Sequence, residues 1–136
     1  MEIVKVRFGF TCGAFDLLHS GHIVMFEQCK QHCHYLKVGL QIDPSFDRKH
    51  KNKPVQSVYE RWVQLKAVRW IDEIIPYGTE DELIELLKSQ IIDIRFLGDE
   101  YKDQFFTGQD IHKNHFFKRQ HNFSSSSLRK RVQNAK

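Results

Sequence analysis

Short apolar segments alternate with helical patterns along nearly the whole chain, and this alternation constrains the fold more than any other feature. Residues 3–10, Ile-Val-Lys-Val-Arg-Phe-Gly-Phe, read as a strand followed by a Gly-containing turn. Residues 21–33 carry Ile23, Phe26 and Cys29 at helical spacing, and 35–41 read as a second strand. Residues 43–56 are polar, hold Pro44 and Pro54, and read as a loop. Ser57-Val-Tyr-Glu60 is a capping-box pattern that opens a helix predicted to reach about Trp70. A strand over 72–77, a helix over 80–89 with Leu83, Leu86 and Leu87 on one face, and a strand over 92–97 follow. A loop through Gly98 and Gly108 leads to a last short strand at 115–118, and Ser124–Ser127 lead into a basic terminal helix. Such alternation predicts an α/β fold with a mostly parallel sheet of about five strands. A length of 136 residues fits a single domain spanning 1–136.

The most informative stretch sits between the first strand and the first helix: Gly13-Ala-Phe-Asp16-Leu-Leu-His19-Ser-Gly21-His22. In an open α/β sheet, phosphates bind at that turn. Gly13 and Gly21 let a ligand approach the backbone closely. A helix starting near Ser20–His22 presents free N–H groups and a positive dipole end to an anion. His19 and His22, three residues apart, share one edge of that helix.

Composition narrows the partners. The formal charge is +4, with basic residues gathered at Arg48–Lys53 and Arg129–Arg131. Such clusters suit a small polyanion such as a nucleoside triphosphate. They also permit a nucleic-acid binder using the tail Arg129-Lys-Arg131, which the small charge excess supports only thinly. No apolar run is long enough to span a bilayer, and the first residues lack the pattern of a signal peptide. The expectation is therefore a cytosolic protein that engages neither nucleic acid nor membrane. The odd count of three cysteines, Cys12, Cys29 and Cys33, argues against a disulfide framework. Cys29-Lys-Gln-His-Cys33-His invites a zinc reading but lacks a second ligand cluster at the spacing a closed site needs.

The stretch Gly13–His22 resembles the Gly-x-Phe-Asp-x-x-His-x-Gly-His signature of the cytidylyltransferase branch of the nucleotidyltransferase superfamily, and is most similar in pattern to the bacterial glycerol-3-phosphate cytidylyltransferases. Arg69–Pro76, Phe96–Tyr101 and Arg119–Ser126 look like later segments of the same family. The resemblance implies a Rossmann-like fold and transfer of CMP from CTP to a phosphorylated small molecule, with release of pyrophosphate. It further implies magnesium carried mainly by the triphosphate, with no metal ligands from the chain, and a homodimer. It assigns catalytic roles to His19, His22, Lys49, Lys51 and Arg119, with Lys53 a rival for the lysine position. Nucleotide contacts are implied for Thr11, Cys12, Gly13, Ala14, Phe15, Asp16 and Gly21. They are also implied for Arg61, Arg69, Gly98, Asp99, Tyr101, Ser124, Ser125 and Ser126.

Plainer readings stand beside these roles. The three lysines also read as a solvated loop, Arg61 and Arg69 as helix-surface salt-bridge partners, and the serines as a linker. Leu128 and Val132, at i and i+4, favour an N-capped helix over a linker. Ala14 stands where the family carries a hydroxyl, Asn122-Phe123 replace its Gly-Ile, and Phe105–Gln109 have no counterpart. An ATP-using adenylyltransferase and a catalytically idle nucleotide-binding module are the alternatives.

Overall fold

A computed structural model describes residues 2–119 and 121–135. The predicted strands all join one sheet. These are β1 (Val6–Gly13), β2 (Cys33–Gln41), β3 (Glu73–Tyr77), β4 (Ile94–Gly98) and β5 (Asn114–Phe117). The order is β3-β2-β1-β4-β5 and every pairing is parallel. Helices α1 (Ser20–Gln31), α2 (Val58–Lys66), α3 (Glu80–Ser89) and α4 (Ser125–Gln133) complete the fold.

Parallel strands need crossovers, and the helices supply them on both faces. α1 and α2 bury Phe26, Cys29 and Leu65 against Leu36, Val38, Leu40 and Phe96 on one face. α3 buries Leu83, Leu86 and Leu87 against Phe10 and Tyr77 on the other. Each fully buried Leu or Phe contributes about 2 kcal/mol of transfer free energy. β2 is an interior strand between β3 and β1, and is buried without interruption from Leu36 to Gln41. The strand order reverses between β1 and β4, and an open α/β sheet places its ligands at the carboxyl ends of such a pair.

Capping fixes the helix starts. Ser57 caps α2 and Thr79 caps α3, each in a reciprocal box with Glu60 and Glu82 respectively. Ser124 caps α4, whose predicted N-cap is thus in place.

Strands β2 to β5 shift by one or two residues at an end, and the boundaries differ most in three other places. The first strand runs over 6–13 rather than 3–10, because its partner β2 pairs with it from Val6 to Gly13. Ile3 and Val4 lie outside it, exposed. Thr11 to Gly13 are therefore strand, not turn. α1 stops at Gln31 and Cys33 opens β2, so the predicted helix is shortened by the sheet. α2 stops at Lys66, four residues before Trp70; the amides of Ala67 and Val68 close tight turns onto Gln64 and Leu65.

Candidate nucleotide-binding site at the carboxyl edge of the sheet

The turn from Gly13 to His19 is strained and firmly held. Phe15 and Leu17 adopt left-handed backbone, with φ of 51° and 52°. For residues with a bulky side chain this costs about 1 kcal/mol or more apiece. Three of its residues, Phe15, Asp16 and Leu17, over-determine the turn through their contacts. The Asp16 carboxylate accepts from the amides of Val55 and Gln56 at 2.8 and 2.9 Å and pairs with Arg129 at 3.1 Å. The Leu17 amide donates to Gln56 Oε1 at 2.7 Å. Phe15 is buried against Phe26 and His22.

The two histidines build the start of α1 themselves. His19 is the N-cap, and its Nδ1 accepts from the Gly21 amide at 3.0 Å. His22 closes the box, its Nδ1 accepting from the His19 amide at 3.2 Å. With both Nδ1 atoms accepting, the proton of each neutral ring sits on Nε2. His19 Nε2 then donates to Ser125 Oγ at 3.1 Å, which ties the start of α4 to the start of α1. The rings lie 4.0 Å apart. Burial first, then the neighbouring His19, lowers the His22 pKa to about 4, against an opposing pull from Asp16. Burial, His121 and Arg119 lower that of His19 as well. At neutral pH His22 is thus an uncharged N–H donor. A Cβ on Gly21 would lie 2.8 Å from His19 Cε1 and 3.0 Å from His121 Cε1, so any larger residue would push the His19 ring from its place.

A cavity of about 820 Å³ opens beside this turn, within the range of ligand sites. Of the residues singled out by sequence, it is lined by Thr11, Cys12, Gly13, Ala14, His19, Gly21, His22, Lys51, Gly98, Tyr101, Arg119, Ser124 and Ser125. Arg119 also donates to the Phe123 carbonyl. Eight others do not reach its wall. Phe15 and Asp16 brace the turn from behind. Lys49, Lys53, Asp99 and Ser126 are exposed outside it. Arg69 is exposed and lies over the Trp70 ring.

Arg61 departs furthest from its expected place, and neither a nucleotide contact nor a surface ion pair describes it. It is 2% exposed, and its guanidinium donates to the carbonyls of Ala14, Gln41, Ile42 and Gln56 at 2.6 to 3.2 Å. It is an internal tie between the ends of β1 and β2 and the loop before α2.

Sequence reasoning missed Gln41, Tyr77, Glu80 and Arg95, all of which line the cavity. Arg95 carried a signal, because a charge in mid-strand between apolar neighbours is unusual in a buried parallel sheet. The wall carries Arg48, Lys51, Arg95, Lys118 and Arg119 against Glu80 and Glu100, an excess of cations suited to a polyanion. Among the described residues no group of three or more His, Cys, Asp or Glu is placed to hold a metal ion.

Fold and site together define an α/β protein with a strained turn and a cationic cavity at the switch point of its sheet. The family described as cytidylyltransferase-like matches residues 10–123, and the chain belongs to that family. The bifunctional protein HldE of Campylobacter jejuni is 34% identical over 129 residues, 93% of this chain but 28% of that protein. The chain thus spans well under a third of that relative. Among solved structures, the lipopolysaccharide core biosynthesis protein from Thermoplasma volcanium superposes with a TM-score of 0.66 at 20% identity, covering 86% of this chain and 98% of that one. NadR, solved with NAD and AMP-PNP, gives 0.56 at 14% identity, covering 98% of this chain and 44% of that one. Both share the nucleotidyltransferase-like fold. No helix among the described residues is long and apolar enough to cross a membrane.

Proposed function

We propose that this protein transfers a nucleoside monophosphate, CMP from CTP, to a phosphorylated small molecule and releases pyrophosphate. The observation that carries the reading is the histidine cap. His22 Nε2–H and the start of α1 face one cationic cavity, where His19 Nε2 bonds Ser125 brought up by α4.

An oxygen of the acceptor phosphate attacks the α-phosphorus in line. The bond from that phosphorus to the bridging oxygen breaks, and pyrophosphate leaves with the electron pair. The attacking group is already anionic, so positioning and charge stabilisation dominate and no strong base is required. His22, neutral and buried, donates Nε2–H to the charge that develops on the α-phosphoryl oxygens. His19 and the α1 amides hold the triphosphate, and Lys51 and Arg119 offset the repulsion between the two anionic reactants. Magnesium, when bound, neutralises triphosphate charge.

A second reading, adenylyl transfer from ATP, draws support from the shared fold of NadR, which was solved with an adenine nucleotide analogue. We also propose a homodimer, because α2 exposes Tyr59 and Val63 beside Trp62, an apolar patch that a second copy would cover.

Pyrophosphate release, measured for each nucleoside triphosphate with magnesium against a panel of phosphorylated acceptors, tests the reading. Turnover is expected with CTP, and CTP should raise the melting temperature more than ATP. Preference for ATP moves the choice to adenylyl transfer. Release from no pair at all sinks both.

A further inference from the structure

The pleat divides the cavity into two faces. Paired residues of parallel strands share a face. Cys12 pairs with Gly39, Gln41 with Tyr77, and Arg95 with Phe10. Cys12, Gln41, Tyr77 and Arg95 therefore lie on the α3 side of the sheet, whereas His19, His22 and Met25 belong to the α1 side.

The α3-side wall carries polar atoms with nothing to bond. Arg95 is 4% exposed; Nη1 donates to the Thr107 carbonyl at 2.5 Å, Nη2 to Cys12 Sγ at 3.7 Å, and Nε has no partner. Among the described residues no carboxylate pairs with it. Gln41 is 1% exposed; its Oε1 accepts from Arg48, and its Nε2 is unpartnered. Glu80 pairs with Arg48 through Oε1 at 3.0 Å, and its buried Oε2 is unpartnered. Buried polar atoms are almost always hydrogen-bonded, and a buried charge without a counter-charge is costlier still. Two donors and one acceptor without a partner, all on residues that line one cavity wall, mark a place built for a ligand.

Phe105–Gln109 hold Arg95 in position. The guanidinium lies over the Phe106 ring at 5.1 Å and is bonded to the Thr107 carbonyl. Gly108 makes the turn at φ 77°, where a Cβ would meet Leu87 at 2.4 Å.

We infer that Arg95, Gln41 and Glu80 form the acceptor subsite: Arg95 receives the acceptor's phosphate, and Gln41 with Glu80 reads hydroxyl groups on the rest of it. This rests on the transfer reading above and names its second substrate class. A hydroxyl both donates and accepts, so a polyol or sugar phosphate satisfies Gln41 Nε2 and Glu80 Oε2 together. An amino-alcohol phosphate would set its ammonium beside Arg48 and Arg95.

The test compares wild type, Arg95→Met and Glu80→Gln at saturating nucleotide. The acceptors are sn-glycerol 3-phosphate, a hexose phosphate and phosphoethanolamine, and nucleotide affinity is titrated separately without acceptor. Losing a charge-assisted contact should raise the acceptor KM about tenfold or more in Arg95→Met while nucleotide affinity stays within about twofold. Glu80→Gln should raise KM for the hydroxyl-bearing acceptors about threefold. Polyol against hexose separates the two sources of hydroxyls. A folded Arg95→Met enzyme with unchanged acceptor KM, an equal loss of nucleotide affinity, or preference for phosphoethanolamine overturns the assignment. If Arg95→Met does not fold, Glu80→Gln decides by the same criterion. If wild type releases no pyrophosphate with any pair, the transfer reading falls by itself. Calorimetric titration of sn-glycerol 3-phosphate then decides the subsite: weaker binding to Arg95→Met supports it, and equal or absent binding to both proteins overturns it.

Discussion

The two halves of the cavity are built by different means. On the α1 side, one continuous stretch from Gly13 to His22 makes the wall, and local geometry shapes it: two left-handed residues, a helix start and a box closed by histidines, braced from outside by Val55, Gln56 and Arg129. On the α3 side, each group comes from a different strand or helix, and side-chain contacts across long sequence separations fix the geometry. Arg95 meets Cys12 83 residues away, and Arg48 bridges Gln41 to Glu80. A site held by its backbone is written as a motif. A site held by side chains becomes visible only when the strands are aligned.

The largest expected effect breaks or sharpens the reading of the α1 half. If His22 stabilises charge in the transition state, His22→Ala lowers turnover about a hundredfold or more, roughly 3 kcal/mol, with little change in nucleotide affinity. A folded His22→Ala protein with near-normal turnover would reduce the histidine box to a helix cap. Turnover and melting must therefore be measured on the same preparation.

Next in size is Arg61, which links the halves without lining either. Arg61→Met leaves the carbonyls of Ala14, Gln41, Ile42 and Gln56 without this donor, in one buried and three partly buried bonds. Losing all four should cost about 3 kcal/mol of stability, seen as a fall in the denaturant midpoint. If instead stability holds and nucleotide binding is lost, Arg61 is a ligand contact and not a tie.

These contrasts explain what the sequence could tell. Strand and helix alternation, the capping boxes at Ser57 and the N-cap at Ser124 were legible, because each is a local pattern with its own physical cause. Boundaries at Val6, Gln31 and Lys66 were not, since pairing and packing set them from outside the segment. His19 as N-cap escaped notice because hydroxyl and carboxamide side chains are the usual caps. Arg61 was misplaced for the opposite reason: helical periodicity gives an arginine a face but does not reveal that four carbonyls await it.

A smaller effect concerns pH. Burial lowers the His22 pKa to about 4, from 6.5 in an ordinary setting. Below pH 6.5 the unfolded chain takes up a proton that folded His22 refuses until the pH nears 4. The stability present above 6.5 is therefore lost as pH falls through that window. Melting curves between pH 7 and 4.5 should fall more steeply for wild type than for His22→Gln. Parallel curves would mean that the ring is free to charge in the folded state.

The smallest effect tests whether α4 belongs to the α1 half. Arg129 pairs with Asp16 at 3.1 Å with side chains 31% and 10% exposed, and Ser125 on the same helix meets His19. A partly exposed pair is worth little by itself, so Arg129→Ala should cost less than about 1 kcal/mol of global stability. Its consequence should be local. Asp16 keeps the amides of Val55 and Gln56, so the strained turn survives, but α4 loses a tether to it. Ser124 and Ser125 are then held near the cavity less firmly, and the nucleotide KM should rise about threefold while turnover at saturation changes little. Equal KM values would show that the bond from His19 to Ser125 alone holds the helix. A fall in turnover as large as that of His22→Ala would place α4 inside the catalytic machinery, and the division between a backbone-built half and a side-chain-built half would no longer hold.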